Sequence, residues 1–316
     1  MSSQPLINST NKLDQQFFAK GLCVIAVLIA VGSFLIAPKP VAELESNSET
    51  QPEISIENQI TARQRDINIA ANSALVWDKT QNRILYSKNS DQQLPLASVT
   101  KLLTAITALK YIPKDQEIFI TLSDLDTDGE SGLLAGEKWS RDGLINFTLI
   151  TSSNDGATAL ARVASQATNR TFSDLMTLTA REIGLEGSTW KNPTGLDTID
   201  GAKASNYASA EEVLILLDYF ITNYPDIAYA AGEEQADFNT NLKQHHVNTT
   251  NELNLTIPHT ISAKTGFTYV AGGNLAIITD IGLARPVYIV VLGSTHEARF
   301  SDVERLYELS TDIIQS

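Results

Sequence analysis

Hydrophobic positions along this chain follow three rhythms. The first is an uncharged apolar run of 17 residues, Gly21–Ala37 (GLCVIAVLIAVGSFLIA). As a helix it spans about 25 Å, slightly short of a hydrocarbon core of about 30 Å. Phe17, Phe18 and Ala19 lengthen it if Lys20 snorkels to the interface. The second rhythm is strand-like. Ser73–Trp77 and Arg83–Tyr86 are short apolar runs separated by Asp78–Asn82, which predicts a β-hairpin. The third is helical. Leu102, Leu103, Ile106 and Leu109 form one stripe within Ala97–Tyr111. Leu144–Ala164 continues the helical pattern with a break around Thr151–Asp155, and Ala210–Tyr219 is a further amphipathic helix. The period then returns to strand-like over Thr260–Lys264, Asn274–Thr279 and Val287–Leu292. Ser301–Ile314 closes the chain as a helix, with Ser301 and Glu304 spaced as a capping box.

Strands at both ends with helices between them predict an α+β domain. Its sheet is mostly antiparallel, flanked by helices, with the helical section inserted between the strands. Four segments follow: a polar tail (1–20), a transmembrane anchor (21–37), an acidic linker (38–66) and a folded domain (67–316). The linker is rich in Ser, Glu, Gln and Asn and carries too little apolar surface to fold. A signal peptide is the alternative for residues 21–37, but no small-residue cleavage site fits after the run. Lys12 and Lys20 precede the run and acidic residues follow it. The positive-inside rule therefore puts the tail in the cytoplasm and the domain outside. The expected location is the cell membrane, crossed once.

Composition narrows the function. The 316 residues carry a net charge of −14, which argues against nucleic acid as a partner. The single cysteine, Cys23, allows no internal disulfide and no Cys-based zinc site. The histidines, at 245, 246, 259 and 296, make no metal pair at helical spacing. His245-His246 falls in a polar stretch and reads as a solvated loop.

Three short motifs carry candidate chemistry. Ser98-Val99-Thr100-Lys101 is S-x-x-K at a helix start, where residues i and i+3 share a face and the amine reaches the hydroxyl. A serine nucleophile needs such a base. Burial and a neighbouring cation would free the lysine of its proton. Ser152-Ser153-Asn154 is S-x-N at the break in the helical pattern, able to present a hydroxyl and an amide to a cleft. Lys264-Thr265-Gly266 is K-T-G in a strand. The Lys and Thr suit a carboxylate, and the Gly permits close approach. Each motif is weak alone: S-x-x-K recurs at Ser9–Lys12 and S-x-N at Ser87–Asn89. In order on helix start, turn and strand, they reinforce one another. Asp155 reads as a support for the turn, and Thr127–Gly136 as a rim loop or an ordinary surface loop.

This set resembles the penicillin-binding protein and serine β-lactamase superfamily. The stretches LPLASVTKLLTA, SSNDGATALA, NPTGLD and AKTGFTYVAGGNLA are similar to the low-molecular-mass D-alanyl-D-alanine carboxypeptidases of serine peptidase family S11. The resemblance covers 67–316 and implies the β-lactamase/transpeptidase-like fold. It implies Ser98 as the acylated nucleophile, Lys101 as its base, Ser152 as proton relay and Asn154 as holder of the substrate amide. Lys264 and Thr265 would bind the terminal carboxylate, and Gly266 would keep the strand open. The N–H groups of Ser98 and Phe267 would form the oxyanion hole. The implied partners are peptidoglycan stem peptides ending in D-Ala-D-Ala, with β-lactams as covalent inhibitors and no metal or organic cofactor.

The sequence departs from the family pattern at two places near the site. Asn248–Asn251 lacks the basic residue often found before K-T-G, which implies weaker carboxylate affinity or a leaning to endopeptidase action. Ser153 replaces the commoner Gly, with an expected shift of Asn154. D-Ala-linked endopeptidase, β-lactamase and non-catalytic peptidoglycan-binding module are the other readings. A β-lactamase needs a deacylating Glu, and Glu182 and Glu186 do not sit in an E-x-x-L-N motif.

Overall fold

A computed structural model describes residues 67–129, 131–198, 200–282 and 284–316, with the side chains of residues 254 and 255 excepted. The membrane run and the linker lie outside the described residues. Among those described, no helix is long and apolar enough to cross a membrane.

The central sheet has five antiparallel strands: β1 (Ser73–Asp78), β2 (Arg83–Lys88), β9 (Thr260–Thr268), β10 (Gly272–Asp280) and β11 (Pro286–Ser294). Their order is β2-β1-β11-β10-β9, so the first strand of the domain pairs with the last. Between β2 and β9 lie the short strands β3 (Leu94–Pro95), β4 (Glu117–Phe119), β5 (Lys138–Ser140), β6 (Tyr207–Ala208), β7 (Gln235–Asn239) and β8 (Gln244–Asn248). The same section holds the helices α1 (Lys101–Tyr111), α2 (Arg141–Thr151), α3 (Asn154–Thr168), α4 (Phe172–Ile183), α5 (Ala210–Asn223) and α6 (Pro225–Ala230). Helix α7 (Ala298–Gln315) closes the chain.

Both sheet faces are buried, and strand alternation divides them. Tyr288, Val290 and Leu292 of β11 join the core built on α1–α5, with Leu102, Leu103, Ile106, Phe147, Leu160, Leu216 and Phe220. Val287, Ile289 and Val291 face the other way, against Phe300, Val303, Leu306, Leu309 and Ile313 of α7. Buried Asp302 of α7 accepts from the N–H groups of Ala70 and Ala71 and from Ser294 Oγ. It thus fastens the start of the domain to its end.

Three sequence expectations are corrected in detail. The first turn of the Ala97–Tyr111 segment is a 3-10 turn over Ala97–Thr100, and the α-helix begins at Lys101. Helix α7 begins at Ala298 and is entered through Thr295, whose Oγ1 accepts from Ala298 N. Ser301 therefore lies inside the helix, bonded to Ala298 O, and is no cap. His245-His246 belongs to the β7–β8 hairpin. His246 is exposed, but His245 is buried, 2.9 Å from Glu137 Oε1 and packed on Trp139 and Phe147. Two alternating histidines on a strand face opposite ways, so only one could be solvated.

Candidate active site

The fold brings the three motifs together at the edge of the sheet. Strand β9 is one of the two edge strands, and the 3-10 turn holding Ser98 packs beside it. A Cβ on Gly266 would stand 2.8 Å from Leu96 O and 3.1 Å from Ser98 N. Glycine is required there because the turn carrying Ser98 is the close neighbour. Gly195 plays the same part on the far side of that turn. It has φ +83°, and a Cβ would stand 1.9 Å from Ala97 O.

Two non-glycine residues hold left-handed backbone here. Ala97 (φ 46°) precedes Ser98, and Ser152 (φ 59°) caps α2. Such conformations are sparsely populated, and the surrounding structure must enforce them. At Ser152 the helix ends, the chain reverses and α3 begins two residues later. Ser153 caps α3, its Oγ accepting from Gly156 N at 2.8 Å. Its extra bulk is thus spent on a helix cap, and Asn154 still reaches Lys101.

Lys101 is fully buried, with Nζ 2.8 Å from Ser98 Oγ, 2.7 Å from Asn154 Oδ1 and 2.7 Å from Thr194 O. Asn154 is oriented by its own Nδ2, which donates to Asp128 O. Desolvation, then the nearby charge of Lys264, hold the Lys101 amine well below its ordinary pKa. Two of its three neighbours, an amide oxygen and a carbonyl, can only accept. A neutral amine donates to both and turns its lone pair to Ser98 Oγ.

Lys264 is also buried. Its Nζ donates to Ser152 Oγ and Thr265 O, both at 2.9 Å. Burial, then the charge of Arg299, lower its pKa to about 7. Thr265 Oγ1 lies 2.6 Å from Thr250 Oγ1. Phe267 is half-exposed at the rim, edge-on to His296 and to Tyr269.

Three contributors had no motif to announce them. Thr194 acts through its carbonyl, placed by a turn in which Asn192 Oδ1 accepts from Thr194 N and Gly195 N. NPTGLD was legible as a family stretch, but a backbone acceptor leaves no side-chain signature. Arg299, only 6% exposed, comes from the first turn of α7, where its guanidinium lies over the Phe300 ring and its Nε and Nη1 make no hydrogen bond among the described residues. A cation thus enters from the far end of the chain, where the Asn248–Asn251 stretch offers none. Thr250 was legible only as a residue that is not basic.

Thr127 and Ser131 are tied to α3 through Asp155, which accepts from Thr127 Oγ1 and Ser131 Oγ, both at 2.7 Å. Lys243 and Asn241 of the β7–β8 turn donate to Gly132 O and Gly136 O. Among the described residues, no group of three His, Cys, Asp or Glu is placed to hold a metal ion.

Known proteins resemble this chain in sequence and fold. The chain is 28% identical over 251 residues to a D-alanyl-D-alanine carboxypeptidase of Bacillus subtilis, and the match spans 76% of this chain and 62% of that relative's length. It is 30% identical over 250 residues to a D-alanyl-D-alanine endopeptidase of Pseudomonas aeruginosa, covering 75% of this chain and 76% of the relative. The fold superposes on penicillin-binding protein D2 of Listeria monocytogenes in its ampicillin-bound form with TM-score 0.64 and 26% identity, over 77% of this chain and 98% of that one. The family model for D-alanyl-D-alanine carboxypeptidase matches residues 58–296, and this chain belongs to that family, serine peptidase S11.

Proposed function

We propose that the chain is a serine-type D-Ala-D-Ala carboxypeptidase acting on peptidoglycan stem peptides through an acyl-enzyme on Ser98, and that β-lactams acylate the same serine. The observation that carries this reading is the buried Lys101 amine, held toward neutrality with its one free direction on Ser98 Oγ.

In acylation, Ser98 gives its proton to Lys101 as Oγ attacks the scissile carbonyl. The N–H groups of Ser98 and Phe267 receive the oxyanion. Arg299, Lys264 and Thr265 take the terminal carboxylate, and Asn154 orients the substrate amide. As the intermediate collapses, Ser152 donates to the departing amine and is resupplied by Lys264 across their 2.9 Å contact. In deacylation the flows reverse. Water attacks the ester and its proton returns through Ser152 to Lys264. Lys101 hands back to Ser98 the proton it took. A Lys264 pKa of about 7 suits an exchange in both directions.

We further propose that the run 21–37 anchors the protein in the cell membrane with residues 67–316 on the extracytoplasmic side. Its uncharged length and its flanking charges support this, as does a substrate found outside the cytoplasm.

The test is release of free D-Ala from a stem pentapeptide by the wild type beside Ser98→Ala. Turnover by the wild type alone supports the reading. Equal residual release by both would overturn it. Cleavage of cross-linked dimers with no release from the pentapeptide would move the assignment to the endopeptidase activity.

A further inference from the structure

The carboxylate end of the cleft contains a pair of hydroxyls that no motif accounts for. Thr265, buried on β9, has its Oγ1 2.6 Å from Thr250 Oγ1. Thr250 lies just after β8, and its N–H donates to Ile150 O at 3.2 Å, two residues before Ser152. One residue thus connects the K-T-G strand to the helix end that presents Ser152.

Two hydroxyls in contact share one proton, so one donates and the other accepts. Without an anion, both directions are open. A carboxylate removes the choice, because it only accepts. Thr265 has one proton, and to spend it on the anion it must accept from its neighbour. The proton between the two oxygens then has to be that of Thr250.

We propose that Thr250 is a positioning residue for the substrate's terminal carboxylate: it donates its hydroxyl proton to Thr265 and so aims the Thr265 proton at the anion. The inference rests on the reading of Lys264 and Thr265 as the carboxylate site. The chain Thr250 to Thr265 to carboxylate is polarised in one sense, each bond strengthening the next. Lys264 and Arg299 supply charge to the anion. Thr250 supplies direction, and its effect is confined to acyl donors that carry a carboxylate.

The test uses the full chain as wild type, Thr250→Val and Thr250→Ser. Two reagents acylate Ser98: benzylpenicillin, which bears a carboxylate, and the p-nitrophenyl ester of an N-acyl-D-alanine, which does not. Thr250→Val should slow the penicillin reaction about three- to tenfold, the net worth of one hydrogen bond, and leave the ester reaction within about twofold of wild type. Thr250→Ser should restore the penicillin rate. With a D-Ala-D-Ala peptide, the loss should appear in KM and not in kcat. An unchanged penicillin rate in Thr250→Val, an equal slowing of both reagents, or failure of Thr250→Ser to restore the rate would each overturn the proposal. A wild type acylated by the ester but not by penicillin would remove the carboxylate site itself, a failure visible before any variant is made.

Discussion

The two ends of the cleft are built differently. Around Lys101, every polar neighbour is engaged: Ser98, Asn154 and Thr194 O surround the amine, and Asn154 is held in turn by Asp128 O. Around Lys264 and Arg299 the network is incomplete. Arg299 is buried, yet two of its guanidinium nitrogens make no hydrogen bond among the described residues. Two cations stand close enough for one to depress the pKa of the other. A satisfied buried network is rigid and specific, and an unsatisfied buried charge is costly. In the proposed reading, the first end transfers protons between fixed partners, and the second presents two neighbouring cations to the substrate carboxylate.

Each prediction sets one end against the other. Replacing Ser98 by Ala should have the largest effect, removing acylation by every donor by at least about 10³-fold, as measured by adduct formation. Lys101→Met should follow, slowing charged and neutral acyl donors alike by about 10² to 10⁴, the usual worth of a positioned base. A loss confined to charged donors would mean that Lys101 belongs with the binding end. Arg299→Met should separate the two ends. Its loss falls on carboxylate-bearing donors, about 10- to 100-fold in kcat/KM, and spares the neutral ester.

The smallest effect is a shift in pH profile. Lys264 loses its charge as pH rises through about 7, so kcat/KM for carboxylate-bearing donors should decline above that point. A bound anion favours the charged form and lifts this value, so kcat should hold to higher pH. Removing Arg299 takes away a cation that depresses the Lys264 pKa, and the alkaline limb in Arg299→Met should move upward. A limb that stays in place or moves down would contradict the coupling of the two cations.

The same contrast explains what was legible in the sequence. The proton-transfer end is local. Ser98 and Lys101 share a helix face by spacing alone, and the break in helical pattern at 151–155 located Ser152 and Asn154. The sheet was legible too, since its five strands carry apolar runs that α7 and the inserted helices cover on both faces. The binding end is assembled from distant pieces. Arg299 lies 35 residues beyond Lys264 at the start of a helix, where nothing in local pattern separates it from a solvated residue. At the proton-transfer end the one distant piece without a motif is Thr194, which contributes only a carbonyl. His245 was misplaced because a polar stretch conceals an alternating strand, and its burial depends on Glu137, 108 residues away. Contacts set by tertiary packing leave no period to read.

The most direct test of the central claim, that Ser98 is the acylated nucleophile served by Lys101, is peptide-level mass spectrometry of the wild-type protein after exposure to benzylpenicillin, with Ser98→Ala beside it. The account predicts one stable adduct on the peptide containing Ser98, absent from the variant. An adduct on another residue, an adduct that persists in Ser98→Ala, or intact penicillin with no adduct on the wild type would contradict it.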